Sequence, residues 1–249
     1  MTDWAFGGPT APFFNAEGNE PARFVFDQVS DDSFALAEGI RYDDGEVTVD
    51  VPGETTITDL ASIPLFMAWF VPVNGRHTPA AVVHDKLVRD TRIESADPAL
   101  RRAASDARAA ADDLFLGAMA ATAVPILRRR IMHAAVVMAT RWERGGFSRI
   151  GIALWAVSSV VGTVALAWSL VVGAWTLAAL AAVAPLLGAL LWGPRYSAAL
   201  VAGYAAVVIA VPAVATSVGY GVYWLAEQTI RLLVPGTKRS DAPPPAGYR

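Results

Sequence analysis

Three clusters of polar residues carry the chemistry this chain could perform: Thr58-Asp59-Leu60-Ala61-Ser62-Ile63-Pro64, then His84-Asp85, then Asp112-Asp113. A histidine with carboxylates at hand suits a general base oriented by an acid, or a hard-cation site. Ala80, Val83, His84 and Leu87 recur at helical spacing, and so do Asp112, Phe115, Leu116 and Met119, so His84 and Asp112 each lie on the apolar stripe of a helix. An ionisable group on such a stripe is costly to bury unless it is paired. The spacing therefore predicts a pairing of His84 with Asp112, which Asp59 can join from its loop. Two readings of His84, Asp85, Asp59 and Asp112 stand side by side: a structural pair that fastens two helices and a loop, or a catalytic group in which His84 is base or metal ligand.

Cysteine is absent, so a metal would need His and carboxylate ligands. No cofactor is expected. A divalent cation on His84 and the carboxylates, or zinc with His77 added, remains an alternative without a compact H-E-x-x-H motif behind it. His77 otherwise reads as a loop residue before a helix and His133 as a packing or interfacial residue. Ser62 lacks the G-x-S-x-G elbow of a nucleophile and reads as the cap of a short helix from Pro64 to Phe70.

The elements that hold these clusters follow from periodicity. Residues 1–21 are rich in Gly, Pro and Asn and read as an irregular leader. Arg23-Phe24-Val25-Phe26 and Ser33-Phe34-Ala35-Leu36 read as short strands. The Asp44-Gly45 turn leads into the alternating Val47-Thr48-Val49-Asp50-Val51, so a small antiparallel sheet is expected. Thr78-Pro79 and Asp97-Pro98 are start signals for helices reaching about Asp90 and Ala121. A third helix runs from about Pro125 to Trp142. The fold class is α+β, with a domain over 22–147.

Beyond it the composition changes abruptly. Up to Arg149 the chain holds 15 Lys/Arg and 21 Asp/Glu; beyond it, 5 and 2. Ile150 to Pro194 contains no charged residue and is about twice the ~20 apolar residues of one bilayer span. Tyr196 to Ala226 is a second uncharged run, so about three spans over 150–226 and a polar tail over 227–249 are expected. Arg128, Arg129, Arg130, Arg141, Arg144 and Arg149 crowd the approach to the first span, which predicts a cytoplasmic domain, as does Met1-Thr2-Asp3-Trp4, which lacks a signal-like h-region. The basic C-terminal tail runs against that rule if three spans cross. Arg128 to Arg130 oppose the dipole at the start of their helix, so they read either as contacts to lipid headgroups or a partner's acids, or as a solvated basic turn. Small residues such as Ser158, Ser159 and Gly162 favour helix packing, and a homo-oligomer, through the spans. No stripe of basic and aromatic residues points to nucleic acid.

The blocks Thr58 to Pro64, Gly75-Arg76 with Thr78 to Ala81, His84-Asp85, Ala111-Asp112 with Phe115 and Met119, and Arg128 to Arg130 resemble, over about Phe24 to Trp142, a phage- and prophage-associated family catalogued as domain of unknown function 1353. The resemblance implies that Asp59, His84, Asp85 and Asp112 are recurring polar positions of that family. Two departures are visible: Lys86-Leu87-Val88 stands where the family has an aromatic pair, and the link from His84-Asp85 to Ala111-Asp112 is longer. The resemblance implies a phage or prophage protein; together with the uncharged spans, which lie outside the resemblance, it leads to the expectation of a protein of the host inner membrane or virion, with the bilayer and phage structural proteins as partners, acting by binding in virion assembly, genome entry or host-envelope interaction. The alternatives are a membrane-tethered hydrolase using the His-Asp cluster and a holin-like permeabiliser.

Overall fold

The computed structural model describes residues 12–30, 33–53, 56–58, 70–72, 74–92 and 97–233. Six short strands open the chain: β1 (Phe13–Asn15), β2 (Phe26–Gln28), β3 (Phe34–Leu36), β4 (Ile40–Asp43), β5 (Thr48–Val51) and β6 (Ile57–Thr58). They pair antiparallel as two three-stranded sheets, in the orders β1-β4-β5 and β2-β3-β6. The β4–β5 hairpin turns where Asp44-Gly45 predicts it. Gly45 takes a positive φ of 86°, and the Asp44 carboxylate accepts from the backbone N–H of Glu46 and Val47 at 3.0 and 2.8 Å.

The strands depart from the sequence reading in two respects. Phe13–Asn15, expected within an irregular leader, pairs with β4 because Phe13 is a core anchor, packed edge-on against Phe24 and Tyr42. The strand expected at Arg23–Phe26 begins only at Phe26. With Phe13, Leu36, Ile40, Tyr42, Val49 and Val51 buried, both sheets contribute to one apolar core.

Three helices cover that core: α1 (Thr78–Asp90), α2 (Pro98–Ala121) and α3 (Ile126–Arg144). The α+β class holds. Asp97 caps α2 by accepting from the Ala99 N–H at 2.8 Å. Thr78 does not cap α1; it is the first helical residue, and its hydroxyl accepts instead from the Gly75 N–H of the preceding turn at 2.8 Å. Val82 and Val83 of α1 and Phe115, Ala118 and Met119 of α2 supply the helical half of the core. The cap proposed at Ser62 and the helix after it lie outside the described residues, apart from Phe70.

The chain then enters three apolar helices: α4 (Gly146–Val172), α5 (Trp175–Leu190) and α6 (Tyr196–Leu233). Gly173, with φ of 73°, ends α4 and turns the chain back. The Gly173-Ala174 link thus divides the uncharged run from Ile150 to Pro194 into two helices. Among the described residues, α4 is long and apolar enough by itself to cross a hydrocarbon core, with a mean hydropathy of 2.0. At 16 residues α5 is about 24 Å long, short of the ~30 Å core. The path through α6 bends by 59° between Gly193–Ile209 and Val211–Leu233. Pro212, which lacks the N–H for its helical bond, stands at the bend.

Where the middle of α4 meets α5 the residues are small. A Cβ on Gly162 would lie 2.9 Å from Ala184 Cβ and 3.0 Å from the Ala181 carbonyl. Gly162 is thus what lets α4 and α5 approach closely. Large side chains such as Val157, Val161, Leu180 and Leu187 face outward.

Candidate functional site

His84 and Asp112 meet across α1 and α2. Both helices place these residues on the face that seals the core, one turn from Ala80 and Phe115 respectively, so burial of the stripes brings the two side chains together. His84 Nε2 lies 2.9 Å from Asp112 Oδ1, and the imidazole is tilted against the Phe115 ring at 4.9 Å between centroids. Asp112 is 1% exposed, and the imidazole supplies a hydrogen-bond partner for its buried carboxyl group. A carboxylate on Nε2 fixes the tautomer and leaves Nδ1 as the nitrogen that could exchange a proton or hold a ligand.

Asp85 takes a different direction. One residue further around α1, it faces β6, where the Thr58 hydroxyl donates to Asp85 Oδ2 at 2.6 Å. Arg89, one turn on, donates from Nη1 to the Ile57 carbonyl at 2.8 Å. These residues, with Ser33 and Arg92, line a shallow cavity of about 370 Å³ that His84 does not enter. Asp59 lies outside the described residues. The three described candidates therefore divide into a His84–Asp112 pair and an Asp85 that fastens to Thr58. Among the described residues no group of three or more His, Asp or Glu side chains converges as a metal site. His77, read from sequence as a loop residue or zinc ligand, is fully buried beside Gly75 at the start of α1.

The larger cavity, about 890 Å³, is remote from the His-Asp pair. It lies between the end of α1, the first turns of α2 and the last turns of α3, and Arg92, Arg101, Arg102, Arg108 and Arg144 line it with Asp106 and Glu143. Arg108 forks onto Glu143, with Nη2 to Oε1 at 3.0 Å, and Arg144 Nε donates to Ser105 Oγ at 2.7 Å. These contacts tie α2 to α3. Its size alone does not make it the chemical site, since its best-placed guanidiniums are already engaged with acids.

A second cluster escaped the sequence reading. Arg195, from the turn between α5 and α6, forks onto Asp113 and donates through Nη2 to the Ala109 carbonyl at 3.1 Å. His133 of α3 stands behind it, its Nε2 3.5 Å from Asp113 Oδ1. Burial alone would raise the Asp113 carboxyl, but Arg195 and then His133 outweigh it and hold it below the usual range. Burial depresses the His133 imidazole, and Asp113 restores only part of that shift. Arg141 makes a parallel contact: Nη1 donates to the Trp192 carbonyl at 3.1 Å, and its guanidinium lies 5.3 Å from the Trp192 ring centroid. Together they fasten the α+β domain to the α5–α6 turn. The available signal was that Arg195 is the lone charge between Ile150 and Ala226; its partner 82 positions away was not legible.

The family model described as Protein of unknown function (DUF1353) matches residues 34–136. The matched stretch runs from β3 to the middle of α3 and contains His84, Asp85 and Asp112. No curated protein and no solved structure matches the chain.

Proposed function

We propose that this chain is an integral membrane protein in which α4, α5 and α6 lie in a bilayer and the DUF1353 domain, held at their cytoplasmic ends, works by binding. The observation that carries this reading is the reversed surface of the C-terminal helices. Val157, Val160, Val161, Val164 and Trp168 on α4, Leu180 and Leu187 on α5, and Val208 and Val211 on α6 are all exposed. An apolar surface this continuous is unsuited to water. The charges that bound it, at Arg149, Arg195, Glu227 and Arg231, lie at helix ends or in the α5–α6 turn.

The domain's role follows from the site. His84 and Asp112 pair between α1 and α2 with Asp112 fully buried, which supports the reading of a structural staple and, with it, a domain that works by binding. The resemblance of the domain to a phage-associated family supports a role in a phage or prophage, at the host inner membrane or in the virion, with phage structural proteins as partners during assembly, genome entry or host-envelope interaction.

The test is crosslinking of the full chain in host membranes during a lytic cycle. Crosslinks to virion components in an alkali-resistant membrane fraction are the expected result. Hydrolysis of an ester or amide substrate that His84→Gln abolishes without lowering the melting temperature would replace this reading with the membrane-tethered hydrolase. Dye release from vesicles by residues 146–233 alone would favour the permeabiliser.

A further inference from the structure

Helix α3 has three faces. Ala134 and Val137 pack with Ile152 and Trp155 of α4 and with Ala189, Trp192, Ala198 and Ala199 of the α5–α6 corner. His133, Thr140, Glu143 and Arg144 face α2. The third face repeats Leu127, Ile131, Ala135, Met138 and Trp142 at helical spacing. Among the described residues nothing covers most of it: Leu127 is 60% exposed and Trp142 50%, while Ile131 is half-buried.

The character of this face and its surroundings identify what covers it. It is apolar along its whole length. By helical spacing Arg128 and Arg130 border it on opposite sides. At its C-terminal end Arg149 of α4 donates to the Trp142 carbonyl at 2.7 Å, with its guanidinium 5.5 Å from the Trp142 ring centroid. Trp142 is thereby held beside the start of α4, where Phe147, 92% exposed, and then Ile150 and Leu154 begin the outward apolar stripe. An amphipathic helix with aromatic and basic borders, continuous with a span, is suited to lying in the plane of a bilayer interface.

The geometry points to the Leu127–Trp142 face of α3 as a bilayer-interface surface, sunk among lipid headgroups, with Arg128 and Arg130 on anionic phosphates. This rests on the bilayer reading of α4. It also gives a task to the arginines in the first turn of α3, which the helix dipole disfavours: lipid phosphates near the N-terminus of the helix attract both. The consequence is a fixed domain, since α3 is packed on one side against α2 and on another against the spans.

The chain has no cysteine, so single cysteines give unique labels. Spin labels at Leu127→Cys, Met138→Cys, Val161→Cys and Arg102→Cys, in the full chain in phospholipid nanodiscs, report collision with lipid-soluble oxygen and with a water-soluble nickel chelate. The expected result is lipid access at 127 and 138, about 5–10 Å into the headgroup and acyl boundary, with 161 deeper and 102 in water. Water access at 127 and 138 with lipid access at 161 overturns this inference alone; water access at 161 as well overturns the bilayer reading. Shielding of 127 and 138 from both probes overturns the inference in favour of a protein partner or a second copy. Phosphatidylglycerol discs should draw the α3 labels deeper than phosphatidylcholine discs, and Arg128→Gln with Arg130→Gln should remove that difference. Equal depth in both lipids overturns the arginine contact.

Discussion

The two units of this molecule are built inside out relative to one another. In the α+β domain the large side chains Phe13, Leu36, Ile40, Phe115 and Met119 are inside. Between α4 and α5 the interior holds Gly162, Ala181, Gly188 and Ala189 while Val157, Val161, Trp168, Leu180 and Leu187 face outward, and the large buried side chains Trp155 and Trp192 sit where these helices meet α3. Water drives the first arrangement, because burying large apolar side chains removes the most surface from it. In hydrocarbon that drive is absent, and close backbone approach through small residues replaces it. The contrast is the one expected if α4, α5 and α6 lie in a bilayer, as proposed, and the α+β domain in water.

The seam between the units also differs from the fastening within the domain. His84–Asp112 is buried and local to two helices of the domain, whereas Asp113–Arg195 is half-exposed and joins the domain to the apolar helices. Adjacent aspartates on α2 thus face different neighbours. A carboxylate buried beside one imidazole is strongly dependent on it; one open to solvent is screened.

These contrasts are tested by substitution. The largest effect is expected for His84→Ala, which strands the buried Asp112 carboxylate and should destabilise the full chain by about 3 kcal/mol in denaturant unfolding; a change within experimental error would show that the pair does not staple the helices. Val161→Arg on the outward stripe of α4 should cost about 2.5–3.5 kcal/mol in a membrane-insertion assay, whereas in water an exposed valine would tolerate it within about 0.5 kcal/mol. Gly162→Val should cost about 1–3 kcal/mol by forcing α4 and α5 apart, and retention of wild-type stability would mean that their contact is looser than the Ala181 and Ala184 distances imply. A double-mutant cycle on Asp113→Ala and Arg195→Ala should give a coupling of about 1 kcal/mol or less, reduced by salt.

The smallest effect is a pH dependence at the seam. The folded pKa of His133 lies below its ordinary value of 6.5. The fold therefore favours the neutral ring; the unfolded chain binds the proton more readily, and stability is lost as pH falls from about 6.5 toward the folded pKa. The melting temperature should drop over that interval and drop less in His133→Gln. An equal drop in both proteins would assign the dependence to other groups.

Much was legible before folding because it is local. Hydrophobic spacing placed His84 and Asp112 on inward stripes, Asp97-Pro98 started α2, and Asp44-Gly45 turned the hairpin. The change in charge density at Arg149 separated the α+β domain from the apolar helices. Tertiary structure decided what depends on distant partners: that Phe13 drew part of the leader into a sheet, that the strands divide between two sheets, and that Asp85 turns away from His84 to meet Thr58. It also decided that the one charge among the apolar helices, Arg195, would meet Asp113. Periodicity and composition are properties of neighbouring residues and survive in the sequence, whereas an ion pair between positions 113 and 195 exists only once the packing of α3 against the α5–α6 corner has brought them together.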